Sequence, residues 1–238
     1  MNITVETHSH TLASGHAYST MKDMIQSAKE KGLEAIAFTE HAPLMPGTCG
    51  NYYFQNFRVI PREHDGIKIM MGVELNILNE AGEVDFAEDF LKTMDIVIAS
   101  VHTPCYSGEH SKDTITEAYV NTMKNPCIDI IGHPDDSRFP IHYEVLVKAA
   151  KENGTLLEVN NSSLSPISFR RGGAENVREM LELCKKYQVP VTLGSDAHIE
   201  FDVGNCAYSK PLLKSCDFPE ELVANTSLDK LQTFLRKG

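Results

Sequence analysis

The chain has 238 residues, 42% of them hydrophobic and 23% charged, with a formal net charge of −11. This is an ordinary globular composition, and the acidic balance disfavours long nucleic acid as a partner, since a phosphate backbone is repelled unless bound cations reverse the local field. The opening MNITVETHSH has neither the basic nor the apolar region of a secretory leader, and no apolar run approaches a membrane span, so the expectation is a cytoplasmic protein with no membrane partner.

In chain order, short β-branched runs alternate with helical patterns. A strand is expected at residues 3–7. Met21, Met24, Ile25 and Ala28 then share one helix face, with Thr20 and Asp23 as its cap and Gly32 as its end. Further strands are expected at 35–39, 67–75, 96–101, 128–132, 156–160 and 191–194. Val145, Leu146 and Ala149 mark a second helix face, and Val177, Met180, Leu181 and Cys184 a third. Residues 227–237 look like a terminal amphipathic helix with Leu228, Leu231, Phe234 and Leu235 inward. Stretches 47–53 and 162–173, rich in Gly, Ser, Asn and Pro, are the loop candidates.

Strand and helix repeated about seven times argue for a parallel sheet in an α/β fold, closed as a barrel or left open. No linker or internal repeat interrupts the pattern, so one domain over 1–238 is expected. The six cysteines form no C-x-x-C pair and read as reduced thiols, Cys105 as an inert one. Met21, Met24, Met70 and Met71 read as core filling.

The histidines then fall into place. His8 and His10 close the first strand, His41 follows the second, His102 the fourth and His133 the fifth; Glu74 ends the third, and Asp196 and His198 follow the seventh. In a parallel sheet all these ends open on one face, where α/β enzymes bind ligands. The spacing H-x-H puts two imidazoles on one side of a strand, and imidazole with carboxylate suits Zn²⁺, Mn²⁺ or Fe²⁺ rather than a closed structural zinc. Glu74 has two oxygens and can bridge two ions. Taken singly, His64, His110 and His142 read as surface residues, Asp135 and Asp136 as loop solvation, and Glu158 as a structural residue or a support behind the ligands. The pair Gly172–Gly173 before a helix suits a phosphate or a plain turn equally.

The segments ETHSHT at 6–11, SGHAYST at 14–20, FTEHAP at 38–43, GVELNI at 72–77, SVH at 100–102, IGHP at 131–134, EVNNSS at 158–163 and GSDAH at 194–198 together resemble the PHP-domain family (polymerase and histidinol phosphatase), and within it the YcdX-like phosphatases. The resemblance covers nearly the whole chain. It implies a distorted TIM-like barrel of about seven parallel strands and three divalent metal ions (Zn, Mn or Fe). One ion would take His8, His10, Glu74 and Asp196; a second Glu74, His102 and His133; a third His16, His41 and His198. Glu74, His102 and Asp196 would be catalytic, with a hydroxide bridging the two ions that share Glu74. Arg170, Asn160 and Asn161 are the expected contacts to a small phosphorylated substrate, Arg170 through the planar fork that matches phosphate, with pinning of the loop as the alternative task for Asn160 and Asn161. The family's first motif commonly begins with Asp; Glu6 stands there and is expected to orient an imidazole. The implied activity is hydrolysis of phosphate monoesters. A nuclease or phosphodiesterase of the same chemistry and a non-catalytic metal-binding regulatory module are the rivals, and whether the chain forms a homo-oligomer stays open.

Overall fold

A computed structural model describes residues 1–235. Seven strands run parallel in the order β1 (Val5–Glu6), β2 (Ala35–His41), β4 (Ile67–Asn76), β5 (Ile96–Ser100), β6 (Ile130–Ile131), β7 (Leu156–Asn160) and β8 (Val191–Gly194), with a two-residue strand β3 (Glu63–His64) hairpinned onto β4. This is the nearly closed, TIM-like barrel expected of the sequence. Its helices are α1 (Met21–Glu30), α2 (Asn51–Gln55), α3 (Glu88–Leu91), α4 (Lys112–Met123), α5 (Tyr143–Asn153), α6 (Gly173–Tyr187), α7 (Ser209–Ser215) and α8 (Leu228–Gln232). No helix among the described residues is long and apolar enough to cross a membrane.

Two cores hold the layers. The larger packs the outward side chains of the strands against the helices, through residues such as Phe38, Met71, Met24, Leu146 and Leu181. The smaller fills the lower barrel with Val5, Ala35, Ala37, Met70, Ile96, Ile98, Ile130 and Leu156, and Ala224 with Leu231 from the C-terminal segment plug it from below. Because side chains alternate along a strand, the inward series on β4 continues from Met70 through Gly72 to Glu74, which delivers the carboxylate to the top of the barrel.

The α1 cap is a capping box, with Thr20 accepting from the Asp23 N–H and Asp23 accepting in return. Other elements depart from expectation. The strand expected at 128–132 shrinks to Ile130–Ile131, because a turn at Asn125–Ile128 precedes it and His133 adopts a left-handed φ of 30° after it. The strand expected at 3–7 ends at Glu6, whose own carboxylate accepts the His8 N–H that would continue the ladder. Val145 faces solvent at 48% exposure; the buried face of α5 is Tyr143, Leu146, Val147, Ala149 and Ala150. The stretch 47–53 is loop only as far as Gly50, where α2 starts. The terminal helix spans Leu228–Gln232 with Leu231 buried and Leu228, Phe234 and Leu235 packed beside it, while Arg236 and Lys237 lie outside the described residues.

Among the described residues β1 and β8 share no continuous ladder; one isolated parallel bridge and several side chains close that seam. Asn225 donates to the Val5 and Leu193 carbonyls at 2.9 and 2.8 Å and accepts from the Leu193 N–H at 3.1 Å. Higher up, Ser9 bridges Ala197, and the His10 N–H donates to the Ala197 carbonyl at 2.8 Å. Asn225 is fully buried, so its loss would orphan three backbone groups. Asn225→Ala is therefore expected to destabilise the chain by about 3 kcal/mol, read by equilibrium urea denaturation; a loss under about 1 kcal/mol would show that the seam does not rest on this amide.

Candidate metal centre

The seam sets the site, because it lays the end of β1 beside the end of β8. Glu6 clamps the two: it accepts from the His8, Ser195 and Gly204 N–H groups at 2.9, 3.1 and 2.8 Å. It makes no contact with an imidazole, so the expected orienting role falls elsewhere. Glu158 fills it, accepting from His8 Nδ1 at 2.7 Å and from the His133 N–H at 2.8 Å.

All nine side chains named from the sequence converge above the barrel. Glu74 stands in the middle with its two oxygens facing different partners. Oε2 lies 3.4, 3.5 and 2.7 Å from His8 Nε2, His10 Nε2 and His41 Nδ1. Oε1 lies 3.2 and 2.9 Å from the Nε2 atoms of His102 and His133. Asp196 Oδ1 is 3.6 and 3.4 Å from His8 and His10 Nε2. Four donors around one ion at about 2.1 Å stand about 3.4 Å apart when tetrahedral, so the spacing among His8, His10, Glu74 and Asp196 suits a zinc-sized cation. Away from Glu74, His16 and His198 turn their Nε2 atoms to each other at 3.1 Å, and His41 stacks on His16 and on His10.

Two more rings, His10 and His102, are held from behind. His10 Nδ1 meets Ser14 Oγ at 3.1 Å, and Ser14 donates to Glu40 at 2.6 Å, so the hydroxyl relays a buried carboxylate to the ring. Thr11 also donates to Glu40, at 2.6 Å. His102 Nδ1 donates to Asn76 Oδ1 at 2.7 Å, and Asp85 holds Asn76 by accepting its backbone and amide N–H groups. These contacts put a proton on Nδ1 of His8, His10 and His102 and aim Nε2 of each ring into the site.

Those inward atoms are orphans. His8 Nε2, His10 Nε2, His41 Nδ1, His102 Nε2 and Glu74 Oε2 are buried without a hydrogen-bond partner, although buried polar atoms are rarely left so. Ligand atoms of His8, His10 and Glu74, of His10, His41 and His198, and of His41, Glu74 and His102 lie close enough to share an ion. Electrostatics agree. Burial would raise the carboxyl of Glu74, but His102, His8 and His41 hold it well below the usual range. Burial likewise opposes ionisation of Asp196, and His8 and Arg170 overcome it. Burial, with the imidazoles of His41 and His198 alongside, drives His10 well below its ordinary value. Burial also opposes the charged form of His8, but Glu158, Glu74 and Asp196 overcome it and hold that ring well above its ordinary value. The donor set is thus ionised carboxylate oxygen with imidazole nitrogen, which fits divalent first-row cations. Asp196 also sits at a left-handed φ of 55°, a conformation costly for a non-glycine residue and common where surroundings dictate a side chain's aim.

Other named residues divide. The Arg170 side chain is 9% exposed, and its Nη1 donates to Asp196 Oδ2, Ser163 Oγ and Asn160 Oδ1 at 3.0, 3.1 and 3.3 Å. Asn160 donates to Glu158 and Asp196. Asn161 spends its amide oxygen on the N–H groups of Tyr208 and Ser209. Arg170 lines a cavity of about 590 Å³ that opens on the histidine cluster, whereas Asn160 and Asn161 are not among its lining residues. Asp135 and Asp136 do not solvate a loop: Asp135 is fully buried, where burial pushes its carboxyl up to about 7 against the pull of Arg170, and Asp136 accepts from Arg138. His64 and His110 are exposed and His142 is half-buried against Asp113, all three apart from the cluster. Gly172 caps α6 at φ 72° in contact range of Ser137, as a turn. Cys105 is half-buried, with burial raising its thiol to about 11, unreactive at neutral pH. The supporting residues Ser14, Glu40, Asn76 and Asp85 went unnamed in the sequence; the proximity of Ser14 to His16 and of Glu40 to His41 was the one signal for the first two.

The sequence profile of the PHP domain matches residues 6–164, and that of a PHP-associated segment matches residues 175–210. The chain belongs to the PHP-domain family. PHP relatives include a protein of Caldicellulosiruptor saccharolyticus, 44% identical over 236 residues covering 99% of this chain and 97% of that one, and a Thermoanaerobacter protein, 41% identical over 237 residues covering 100% and 96%; both bear the name probable phosphatase. Among solved structures, the PHP fold here is similar to histidinol phosphate phosphatase from Lactococcus lactis, complexed with zinc, L-histidinol and phosphate, with a TM-score of 0.63 at 20% identity, covering 92% of this chain and 95% of that one. It is also similar to a chain of archaeal ribonuclease P, with a TM-score of 0.61 at 15% identity over 97% and 89% of the two.

If the Glu158 carboxylate sets the tautomer and basicity of His8, removing its charge should weaken cation binding without dismantling the barrel. Glu158→Gln is expected to lower zinc affinity about 10- to 100-fold, read by competition with a chromophoric chelator. Wild-type affinity in this variant would mean that His8 needs no such support.

Proposed function

We propose that this chain is a phosphatase that hydrolyses small phosphate monoesters with three divalent cations, acting as one domain over residues 1–238. The observation that carries the reading is the set of orphaned, buried donor atoms turned toward Glu74, together with relatives named probable phosphatase across the full chain. His8, His10, Glu74 and Asp196 would hold one cation, Glu74, His102 and His133 the next, and His16, His41 and His198 the third. His41 leans to Glu74 as well, which makes it the link between the groups. Bound there, such cations supply Lewis-acid charge for a phosphoryl group and lower the pKa of water.

The residues themselves have separable tasks. Glu74, with an oxygen toward each side, sets the distance between two cation positions, and His102 and Asp196 complete them as the catalytic set. Arg170 has one terminal nitrogen committed to Asp196, which pins the fork at the edge of the cavity and leaves its remaining donors for phosphoryl oxygens. Asn160 and Asn161, named beside it, serve on this reading by fixing Asp196 and the loop rather than by touching substrate. The cavity is walled and the chain acidic, so a small phosphorylated molecule fits better than a polynucleotide track.

Glu74→Ala is expected to lose bound metal, by elemental analysis of protein purified without chelator, and to lose hydrolysis of a phosphomonoester panel supplied with Mn²⁺, Zn²⁺ or Fe²⁺. Full metal content and turnover in that variant would end the assignment, and inactivity of the metal-loaded wild type toward every monoester would favour a regulatory module. Arg170→Ala should raise KM about 10- to 100-fold, the worth of a charge-assisted hydrogen bond, with a smaller change in metal content; unchanged KM removes it from substrate binding.

A further inference from the structure

The cavity is larger than a phosphoryl group requires. At about 590 Å³ it falls in the range of about 300–1,000 Å³ that encloses an entire small ligand, and the wall beyond the histidines tells what the rest of that ligand is. From Asp196 outward, cations and rings alternate. Arg170 holds Asp196, and its guanidinium carbon lies 5.3 Å from the centre of the Phe169 ring; the guanidinium of Arg138 lies 5.2 Å from Phe169 and 5.9 Å from Phe139. Arg138 is fixed in this stack by Asp136, which accepts its Nε at 2.8 Å and its backbone N–H at 3.0 Å. Its Nη1 has no hydrogen-bond partner among the described residues. Phe169 is 72% exposed although it borders the cavity, so a large ring surface waits to be covered.

We propose that this ladder of Arg170, Phe169, Arg138 and Phe139 is a subsite for the leaving group, and that it selects phosphate esters whose alcohol carries a flat, uncharged, unsaturated ring. The inference rests on the phosphatase reading for its orientation. Flat π-faces stack on phenyl rings and on guanidinium planes, and a planar group laid along the ladder covers Phe169 without disturbing the Arg138–Asp136 pair. A polyhydroxylated alcohol would instead bury hydroxyls against Phe139, Phe169 and the neighbouring Val101, at a cost for each one left unpaired. A saturated ring offers apolar area but no face for the guanidinium.

The test separates binding from hydrolysis. Calorimetry on the full, zinc-loaded chain compares 2-phenylethylphosphonate with 2-cyclohexylethylphosphonate, two unhydrolysable ligands differing only in the flatness of the ring. The phenyl compound should bind about tenfold more tightly, equivalent to about 1.4 kcal/mol. Phe169→Ala should bring the two within about twofold, and Phe169→Tyr should restore the preference. Equal affinities in the wild type, or a preference that survives Phe169→Ala, overturn the subsite. Selective phosphonate binding without hydrolysis of 2-phenylethyl phosphate upholds the subsite and counts against the phosphatase reading alone.

Discussion

Between β1 and β8 the barrel lacks a backbone ladder, and everything at its mouth depends on how that gap is held. Two H-x-H and D-x-H pairs, from opposite ends of the chain, must meet to within a few ångströms. Below them a single amide, Asn225, takes the place of the missing ladder; beside them the Glu6 carboxylate gathers N–H groups from both strand ends. Neither residue faces the cavity. Both act by stopping the two ends from sliding, since a shift of about 1 Å is enough to spoil a constellation of this kind.

Within that frame the charges are arranged as groups able to hold a metal ion. Glu74 and Glu158 are buried carboxylates set against imidazoles, and Asp196, equally buried, lies between Arg170 and the rings of His8 and His10. Arg170 is the one guanidinium joined to this group among the described residues. Clustered buried charges are expensive, and divalent cations bound there would offset that cost. The supports differ in kind: Glu158 touches His8 directly, whereas Glu40 reaches His10 through Ser14. The two members of one motif are therefore tuned separately.

The histidines and Glu74 were legible because their meaning lies in position: each follows a strand, and parallel strands all end on one face. Their supports were not, since Ser14, Asn76 and Glu40 are residue types found at any surface, and only the fold brings them to a ring nitrogen. Asp135 and Asp136 misled for the opposite reason. Two acids after His133-Pro134 look like a solvated turn, yet Asn176 of α6 donates to the Asp135 carbonyl and the N-terminal end of that helix covers them. On α5 the run Val145, Leu146, Val147 admits two faces, and only packing against α4 and α6 chooses between them. The helix α4 left little trace, because Thr116 and Thr122 share its buried face with Ile115 and Met123 and blur the apolar period. The Asp65–Gly66 turn, with φ of 52° and 83°, makes the β3–β4 hairpin and is a signal the sequence does carry.

Glu158 owes its place to what its neighbours lack. A methyl carbon on Gly194 would fall 2.0 Å from Glu158 Oε1 and 2.9 Å from His8 Cβ, and one on Gly132 would meet Ser100 Oγ at 2.3 Å. The carboxylate thus sits in a slot cut from two adjoining strands, and the strands cannot gain bulk while the acid keeps its length. The two glycines answer to different neighbours: Gly194 leaves room for the acid and for His8, whereas Gly132 leaves room for Ser100 and Ile98, so shortening the acid alone would free neither.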